Sequence, residues 1–447
     1  MADGVDDGVQ SGGAGAQLSD QTVEFTGRYI VVFDDDVQGD SGAITQALRS
    51  VAGVSTVAST LDFEGGALDL DRVESADATV FAELGVAVVA VDPSRGAGLA
   101  AMAEADSRIL AVEPERIMRA IEDRPVSLEY VRGFRDGVSG LYDQLTASGL
   151  AEAELGVAAP SSFGDGAAFT WGLQACRAAV SARTGAGIAV AVLDTGHDLS
   201  HADFAGRSIV SKSFVAGQAA QDGHGHGTHT VGSSCGPKAP QGPGRRYGVA
   251  TQATIFVGKV LSNQGSGSDS QILAGINWAL ANKVQVISMS LGADVNQVNP
   301  VYEAVGKRAL AAGTLIVAAA GNNADRSAGN AGFVGMPANS PSIMAVAAVD
   351  SNLRIANFSA RSSAAVGGKV DIAGPGVAVH SSWPMPTRYK TISGTSMATP
   401  HVAGVAALLS QATGAKGAQL WAELVQTARP LTLPSADVGA GLVQAPL

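Results

Sequence analysis

Cysteine is nearly missing from this chain, with two, Cys176 and Cys235, in 447 residues. Two thiols cannot form the framework of bridges that staples small secreted domains. They leave one bridge or two buried free thiols, and the sequence decides for neither. No unbroken apolar run reaches the roughly 18 residues of a spanning helix, so no transmembrane segment is expected. The opening stretch, MADGVDDGVQSGGAGAQLSD, has neither a basic n-region nor an apolar h-region and does not read as a secretory signal. Basic patches interleaved with aromatics are also absent, which removes the electrostatic footprint of nucleic-acid binding. Charged residues make up only 16% of the chain, and its weight of aliphatic residues predicts a sizeable core rather than disorder.

What charge there is falls unevenly. Residues 1–125 hold 23 acidic and 8 basic residues, whereas residues 126–447 hold 18 and 21. An acidic first part and a faintly basic body can attract each other as two units, or the acids can simply form a solubilising face. The length accommodates one large domain or two unequal ones.

Residues 1–25 read as a polar, disordered tail. From Arg28 to about Arg116, RYIVVF, GVAVVAV and ILAVEPE are strands separated by helical patterns at 43–51 and in GLAAMAEADSR. Strand–helix–strand–helix–strand at this length predicts a small α+β ferredoxin-like module. Residues 126–148 space Leu128, Val131, Phe134, Val138, Leu141 and Leu145 three or four apart, as on one helix face. Residues 159–169, APSSFGDGAAF, have linker composition.

After Trp171 the pattern changes. IAVAVLDTG, TIFVGKVL, VQVISMSLG, TLIVAAAGN and SIMAVAAVD are continuous apolar runs, with helical stretches at 270–282 and 300–312 between some of them. Unbroken rather than alternating hydrophobicity predicts strands buried on both faces, hence an α/β fold with a mostly parallel sheet between helices. In such sheets chemistry gathers where strands end.

Three such places carry reactive groups. Asp194 follows AVAVL directly, and a carboxylate there is costly to bury unless it is paired. Residues 221–235, QDGHGHGTHTVGSSC, place His224, His226 and His229 within six positions. That spacing suits a metal site, a catalytic base with two neighbours, or a loop with spare imidazoles. Residues 393–410, SGTSMATPHVAGVAALLS, put Ser396 in the first turn of a helix. Taken alone it is an N-cap or a nucleophile favoured by the helix dipole and nearby amides.

Together, VLDTG, GHGTHTVG, AAAGN and GTSMATPHVAG, in the order Asp–His–Ser, resemble the motifs of subtilisin-like serine proteases, the subtilase or S8 family. The resemblance runs from about Trp171 to the C-terminus. It implies a catalytic domain at 171–447 of subtilisin-like fold, with Asp194, His226 and Ser396 as the triad and Asn322 as oxyanion donor. The segments Gly265–Ser266–Gly267 and Ser290–Leu291–Gly292 resemble the two edges between which family members add the substrate strand. Ala319 and Gly335 would line the pocket for the residue before the scissile bond. A glycine there leaves room, so large apolar side chains are expected.

The family resemblance also implies that residues 26–121 form an inhibitor-like propeptide acting as intramolecular chaperone, with 122–170 a helical insert and linker. IMRAI would place Ile121 before an autocatalytic cut, and a second cut within 159–169 is equally workable. No cofactor is required for catalysis. Structural calcium is possible at Asp203, which matches a family ligand. The loop that should supply the other oxygens, GPKAPQGPGRRYG, offers no carboxylate or Asn. Expected partners are protein or peptide substrates and the chain's own propeptide, with no nucleic acid or membrane, on a monomeric enzyme. The family is commonly secreted, while the absence of a signal in this stretch leaves a cytoplasmic location open.

Two other classes remain for comparison. Metallo-β-lactamase-like sites place an acid just before the last histidine, where this chain has Thr228, and no second His/Cys cluster supplies further ligands. A peptide-binding relative without activity would lack one of the four chemical residues, all of which are present.

Overall fold

A computed structural model describes residues 23–66, 68, 76–91, 96–121, 162–241, 244–363 and 368–447. The tail, the helix expected at 126–148 and the first residues of the expected linker lie outside these.

The N-terminal unit begins with β1 (Phe25–Phe33), followed by α1 (Ser41–Ala52) and the short strand β2 (Val57–Ser59). It continues with β3 (Ala78–Phe81), β4 (Val86–Val89), α2 (Gly96–Glu104) and β5 (Ile109–Ala120). Its sheet order is β5-β1-β4-β3-β2. The first four strands are antiparallel neighbours, the order produced by two interleaved βαβ units. Sequence reading found β1, β4 and β5 and missed β2 and β3. Both are very short, and VAS and ATVF stand without a periodic run long enough to tell from a loop.

The larger unit contains β6 (Ala189–Asp194), β7 (Ile209–Ser213), α3 (His226–Cys235), β8 (Thr254–Lys259), β9 (Ser266–Ser268) and α4 (Asp269–Ala281). Next come β10 (Val286–Met289), β11 (Leu291–Gly292), α5 (Pro300–Ala311), β12 (Leu315–Ala319) and β13 (Met344–Val349). The chain then forms β14 (Ile372–Pro375), β15 (Val379–Ser382), β16 (Tyr389–Ile392), α6 (Thr395–Thr413) and α7 (Gly417–Thr427).

Its main sheet runs β14-β13-β12-β10-β6-β8-β7, parallel at every pairing. Alternate strand residues enter two different cores. Ala191, Leu193, Ile316 and Ala318 pack with Trp278 of α4 and Tyr302 of α5. Val190, Val192, Leu315 and Val317 pack with Val231 of α3, Val402 of α6 and Leu420 of α7. Both faces are thus covered by helices, which explains the unbroken apolar runs. From β6 the chain first builds toward β8 and β7, then crosses to β10 on the other side. The carboxyl ends of β6 and β10 therefore flank a topological switch point.

Cys176 and Cys235 are free and buried, and burial pushes each thiol up to about 11. At neutral pH they pack as small apolar groups. The described part of the expected linker lies fixed against the body. Phe163 N–H donates to Ser351 O at 2.8 Å, Arg246 N–H donates to Ala168 O at 2.9 Å, and Arg245 pairs with Asp165 at 3.1 Å.

The N-terminal sheet continues into the larger unit. β5 pairs antiparallel with β9 on one side and with β11 on the other. Arg308 of α5 reaches across as well, donating to the carbonyls of Phe33 (2.6 Å) and Leu84 (2.5 Å) and pairing with Asp35 at 2.7 Å. Among the described residues this is the ion pair that joins the two units.

Candidate active site

Asp194 ends β6 and is fully buried. Its Oδ1 accepts from Thr195 N–H at 2.7 Å and pairs with His226 Nδ1 at 2.8 Å, while Oδ2 accepts from Thr230 Oγ1 at 3.2 Å. Three donors offset the desolvation of the carboxylate and fix which imidazole nitrogen faces it.

His226 is the first residue of α3, so its position depends on how that helix starts. Its N-cap is Gly225 with φ 106°, where a Cβ would drive into the Trp383 ring. Having no side chain, Gly225 cannot cap the helix itself. Asp222 does so instead, accepting from His224 N–H (2.9 Å), Gly225 N–H (2.8 Å), Thr228 N–H (2.8 Å) and Thr228 Oγ1 (2.7 Å). These bonds hold its carboxyl below the usual range despite burial. Thr195 Oγ1 links this cap to the strand end, donating to Asp222 at 3.0 Å and accepting from Gly227 N–H at 2.8 Å. Lys259, paired with Asp194 in the sheet register and also buried, donates to Thr195 O at 2.5 Å and Asn263 Oδ1 at 2.8 Å. Neither Asp222 nor Lys259 was singled out from sequence. An acid just upstream of a helix start is a visible capping signal for Asp222. For Lys259 nothing local distinguishes a buried ammonium from a strand-end lysine in water.

The three histidines have different surroundings. His229 Nε2 is 3.1 Å from Val379 O, and burial pushes the imidazole down to about 3. It is a neutral packing residue. The His224 and His226 rings meet edge to face at 6.4 Å. Since His226 Nδ1 faces Asp194 and His229 Nε2 faces a backbone carbonyl, the three imidazoles do not converge on one point.

Ser396 stands in the first turn of α6, which packs on α3 closely enough that a Cβ on Gly404 would lie 2.9 Å from Ser234 O. Pro400 has no amide to give the Ser396 carbonyl in the i to i−4 pattern. Ser290 Oγ takes that oxygen at 2.7 Å, tying the serine turn to the exit of β10. Ser396 Oγ donates to Ile121 O at 2.6 Å and lies 3.1 Å from Ser290 O.

Asn322, just past β12, accepts at Oδ1 from Thr395 N–H (3.0 Å) and Thr395 Oγ1 (2.9 Å), which leaves its amide nitrogen on the opposite side. A Cβ placed on Gly394 would lie 3.1 Å from that nitrogen and 3.5 Å from Ile121 O. The Asn322 amide, the Ile121 carbonyl oxygen and the Ser396 turn thus border one small space beside Gly394.

The strand lying there is the end of β5. Ile117, Met118 and Arg119 pair with Ser268, Gly267 and Ser266, and Arg119 and Ala120 pair with Gly292 and Leu291. Ala120 N–H donates to Gly265 O at 2.8 Å and Ile121 N–H to Ser290 O at 3.3 Å. Both expected edge segments therefore face one strand. A Cβ on Gly292 would come 3.1 Å from Ile121 Cδ1 and 2.5 Å from Met336 O. Next to Met336, Gly335 packs so tightly that its Cβ would lie 2.6 Å from Ala293 O. Ala319 ends β12, buried, in register with Val346.

The surroundings of Asp203 do not fit a calcium ion. Its Oδ1 pairs with Arg388 at 2.9 Å and accepts from Gln241 N–H at 3.0 Å. Its Oδ2 accepts from Tyr247 OH at 2.8 Å and Tyr389 OH at 2.9 Å. Arg388 also reaches Gln241 O. A guanidinium occupies the place where calcium would need further oxygens. Substituting Asp203 is therefore expected to leave any response of the melting temperature to calcium or a chelator as it is in the wild type. Arg388→Met is expected to lower the melting temperature by several degrees, since a buried carboxylate then loses its counter-charge. A chelator-induced drop that disappears on substituting Asp203 would show instead that a cation is held there.

The subtilase family model matches residues 185–441, spanning all four motifs. The chain is 42% identical to subtilisin DY of Bacillus licheniformis over 226 residues, half of this chain and 77% of that protein. It is 39% identical to subtilisin Savinase of Lederbergia lenta over 281 residues, covering 62% of this chain and 96% of the relative. To subtilisin E of Bacillus subtilis (strain 168) it is 41% identical over 228 residues, and there it spans only 56% of the relative's length. With a family model covering more than half its length and one relative matched over 96% of its own, the chain belongs to the subtilase family of serine endopeptidases.

Proposed function

We propose that this chain is a serine endopeptidase zymogen that cuts itself after Ile121 through Asp194, His226 and Ser396. The observation that carries the reading is the donor contact of Ser396 Oγ on the Ile121 carbonyl oxygen, 2.6 Å, within a strand held by two enzyme edges. Such a strand is presented as a substrate would be.

Ser396 Oγ attacks the Ile121 carbonyl carbon while His226 takes the hydroxyl proton. Asp194 holds the imidazole and stabilises its charged form without taking the proton. The carbonyl oxygen gains negative charge beside the Asn322 amide, which with the Ser396 backbone N–H forms the oxyanion hole. Collapse breaks the bond to the following nitrogen, and His226 returns the proton to that amine. Water, deprotonated by the same imidazole, then releases the acyl group from Ser396. Residues 26–121 remain on the groove as an inhibitory unit, anchored by β5 and by Arg308.

Cutting within 159–169 is the weaker alternative, because its described part is hydrogen-bonded to the body instead of lying in the groove. In the same reading Gly292 borders the pocket that receives Ile121, with Ala319 and Gly335 as the lining that the family resemblance implies, and no described ion pair sets an acid against that side chain. The test has two arms. A serine-directed fluorophosphonate is expected to label Ser396 and abolish activity. A peptide library is expected to show preference for large apolar residues before the cut. Strict selection of basic residues there would overturn the pocket assignment, and unlabelled but active enzyme would overturn the nucleophile.

A further inference from the structure

We propose that Asp269 is a main-chain anchor for substrate, accepting the backbone N–H of the sixth residue before the scissile bond. The inference rests on the reading of Ser396 as nucleophile and of Ile121 as the residue before the cut.

Counting back from Ile121, the sixth residue is Arg116. Its N–H donates to Asp269 Oδ2 at 2.8 Å. The reason lies in where the enzyme edge ends. β9 supplies backbone partners to Arg119, Met118 and Ile117, the last through Ser268. At the next residue the chain turns into α4, which starts at Asp269, so the edge has no further strand carbonyl to offer. The Asp269 side chain takes over the ladder there, and the strand gains one more bond.

The carboxylate is built for this place. It is fully buried, and its other oxygen is fixed by Tyr302 OH at 2.7 Å, from a tyrosine equally buried on α5. An acid in the first turn of a helix needs only water to serve the dipole. A buried one held by a phenol, with one oxygen directed at a strand amide, does more than that. The neighbouring contact is different in kind. Ser270 N–H is capped at 2.9 Å by Glu115, which the N-terminal unit supplies and an arbitrary substrate does not. Every peptide presents a backbone N–H at the sixth position unless proline stands there or the chain begins later. Asp269 therefore selects for length and against proline at that position.

The full chain, after processing itself and releasing its N-terminal unit, is supplied with two otherwise identical peptides. Each carries isoleucine before the cut and methionine at the fourth position. One has an amide and the other an ester linkage at the sixth residue's nitrogen. Wild-type kcat/KM is expected to be about tenfold lower for the ester, the scale of a hydrogen bond to a charged acceptor. In Asp269→Ala the ratio is expected to fall close to one. The ratio is internal to each enzyme, so a general loss of activity does not imitate it. A wild-type ratio of one, or the same tenfold ratio in both enzymes, overturns the anchor while leaving the nucleophile assignment standing. Cleavage of neither peptide overturns both. Should Asp269→Ala fail to fold, a third peptide with the ester moved to the seventh residue decides. Loss at the sixth position alone supports the anchor, and equal loss at both overturns it.

Discussion

Replacing Ser396 by alanine is expected to leave the chain whole, while the wild type separates into an N-terminal unit ending at Ile121 and a body beginning at Glu122. Removing the nucleophile from a triad costs about a millionfold in kcat, because base and orienting acid have nothing left to activate. The substitution removes one oxygen whose partners are Ile121 O and Ser290 O, and Ser290 O keeps the Ile121 N–H while Ile121 stays attached to the strand ladder. The fold is therefore expected to survive, with an unchanged far-ultraviolet circular dichroism spectrum. N-terminal sequencing of the wild-type fragments and electrophoresis of the variant read the result. A variant that still separated at the same bond would show that another protease makes the cut.

Asp194→Asn is expected to lower kcat about ten-thousandfold, the scale at which a triad loses its correct imidazole tautomer. The carboxylate accepts from Thr195 N–H, from Thr230 Oγ1 and at His226 Nδ1. Asparagine keeps one acceptor oxygen and replaces the other with a donor. With the oxygen in the place of Oδ1 it still accepts from Thr195 and His226 but carries no charge to stabilise the imidazolium, and with the NH₂ there it faces Nδ1 and drives the imidazole to place its proton on Nε2. An imidazole in that tautomer cannot take the serine proton. Initial rates on a chromogenic peptide, with active sites counted by fluorophosphonate labelling, separate this from simple loss of folded enzyme. A drop smaller than tenfold would mean that Asp194 does not orient the base.

Much of the fold was legible because its signals are local. The runs AVAVL, IFVGK, VISM and LIVAA are continuous, and a strand buried on both faces has no polar alternation to show. The helices α4 and α5 sit within a residue of their expected bounds. β7, with the pattern IVSKS, escaped because an edge strand half in solvent looks like a loop. Asp194, His226, Ser396 and Asn322 were picked out by motif order, and the structure brings Asp194 to His226 and Asn322 to the Ser396 turn.

Other groups were not legible at all. Asp203 reads as a metal ligand until Arg388, 185 positions later, is found on its carboxylate. Asp269 reads as a helix-start acid until Arg116, 153 positions earlier, is found donating to it. Asp222 is one more acid in a Gly-rich loop until its four bonds to the His226 turn are seen.

The sequence by itself determined the kinds of element, the burial of both sheet faces and the order Asp–His–Ser, because periodicity, capping and motif spacing are written within a few neighbouring residues. Only the tertiary structure decided which charges are paired, which acid caps the His226 turn, and that Ile117 to Ile121 lie between the two glycine-rich edges. Those outcomes depend on contacts between segments a hundred or more residues apart. The energy of a buried charge or an added strand is set by the partner it meets there, not by its neighbours in the chain.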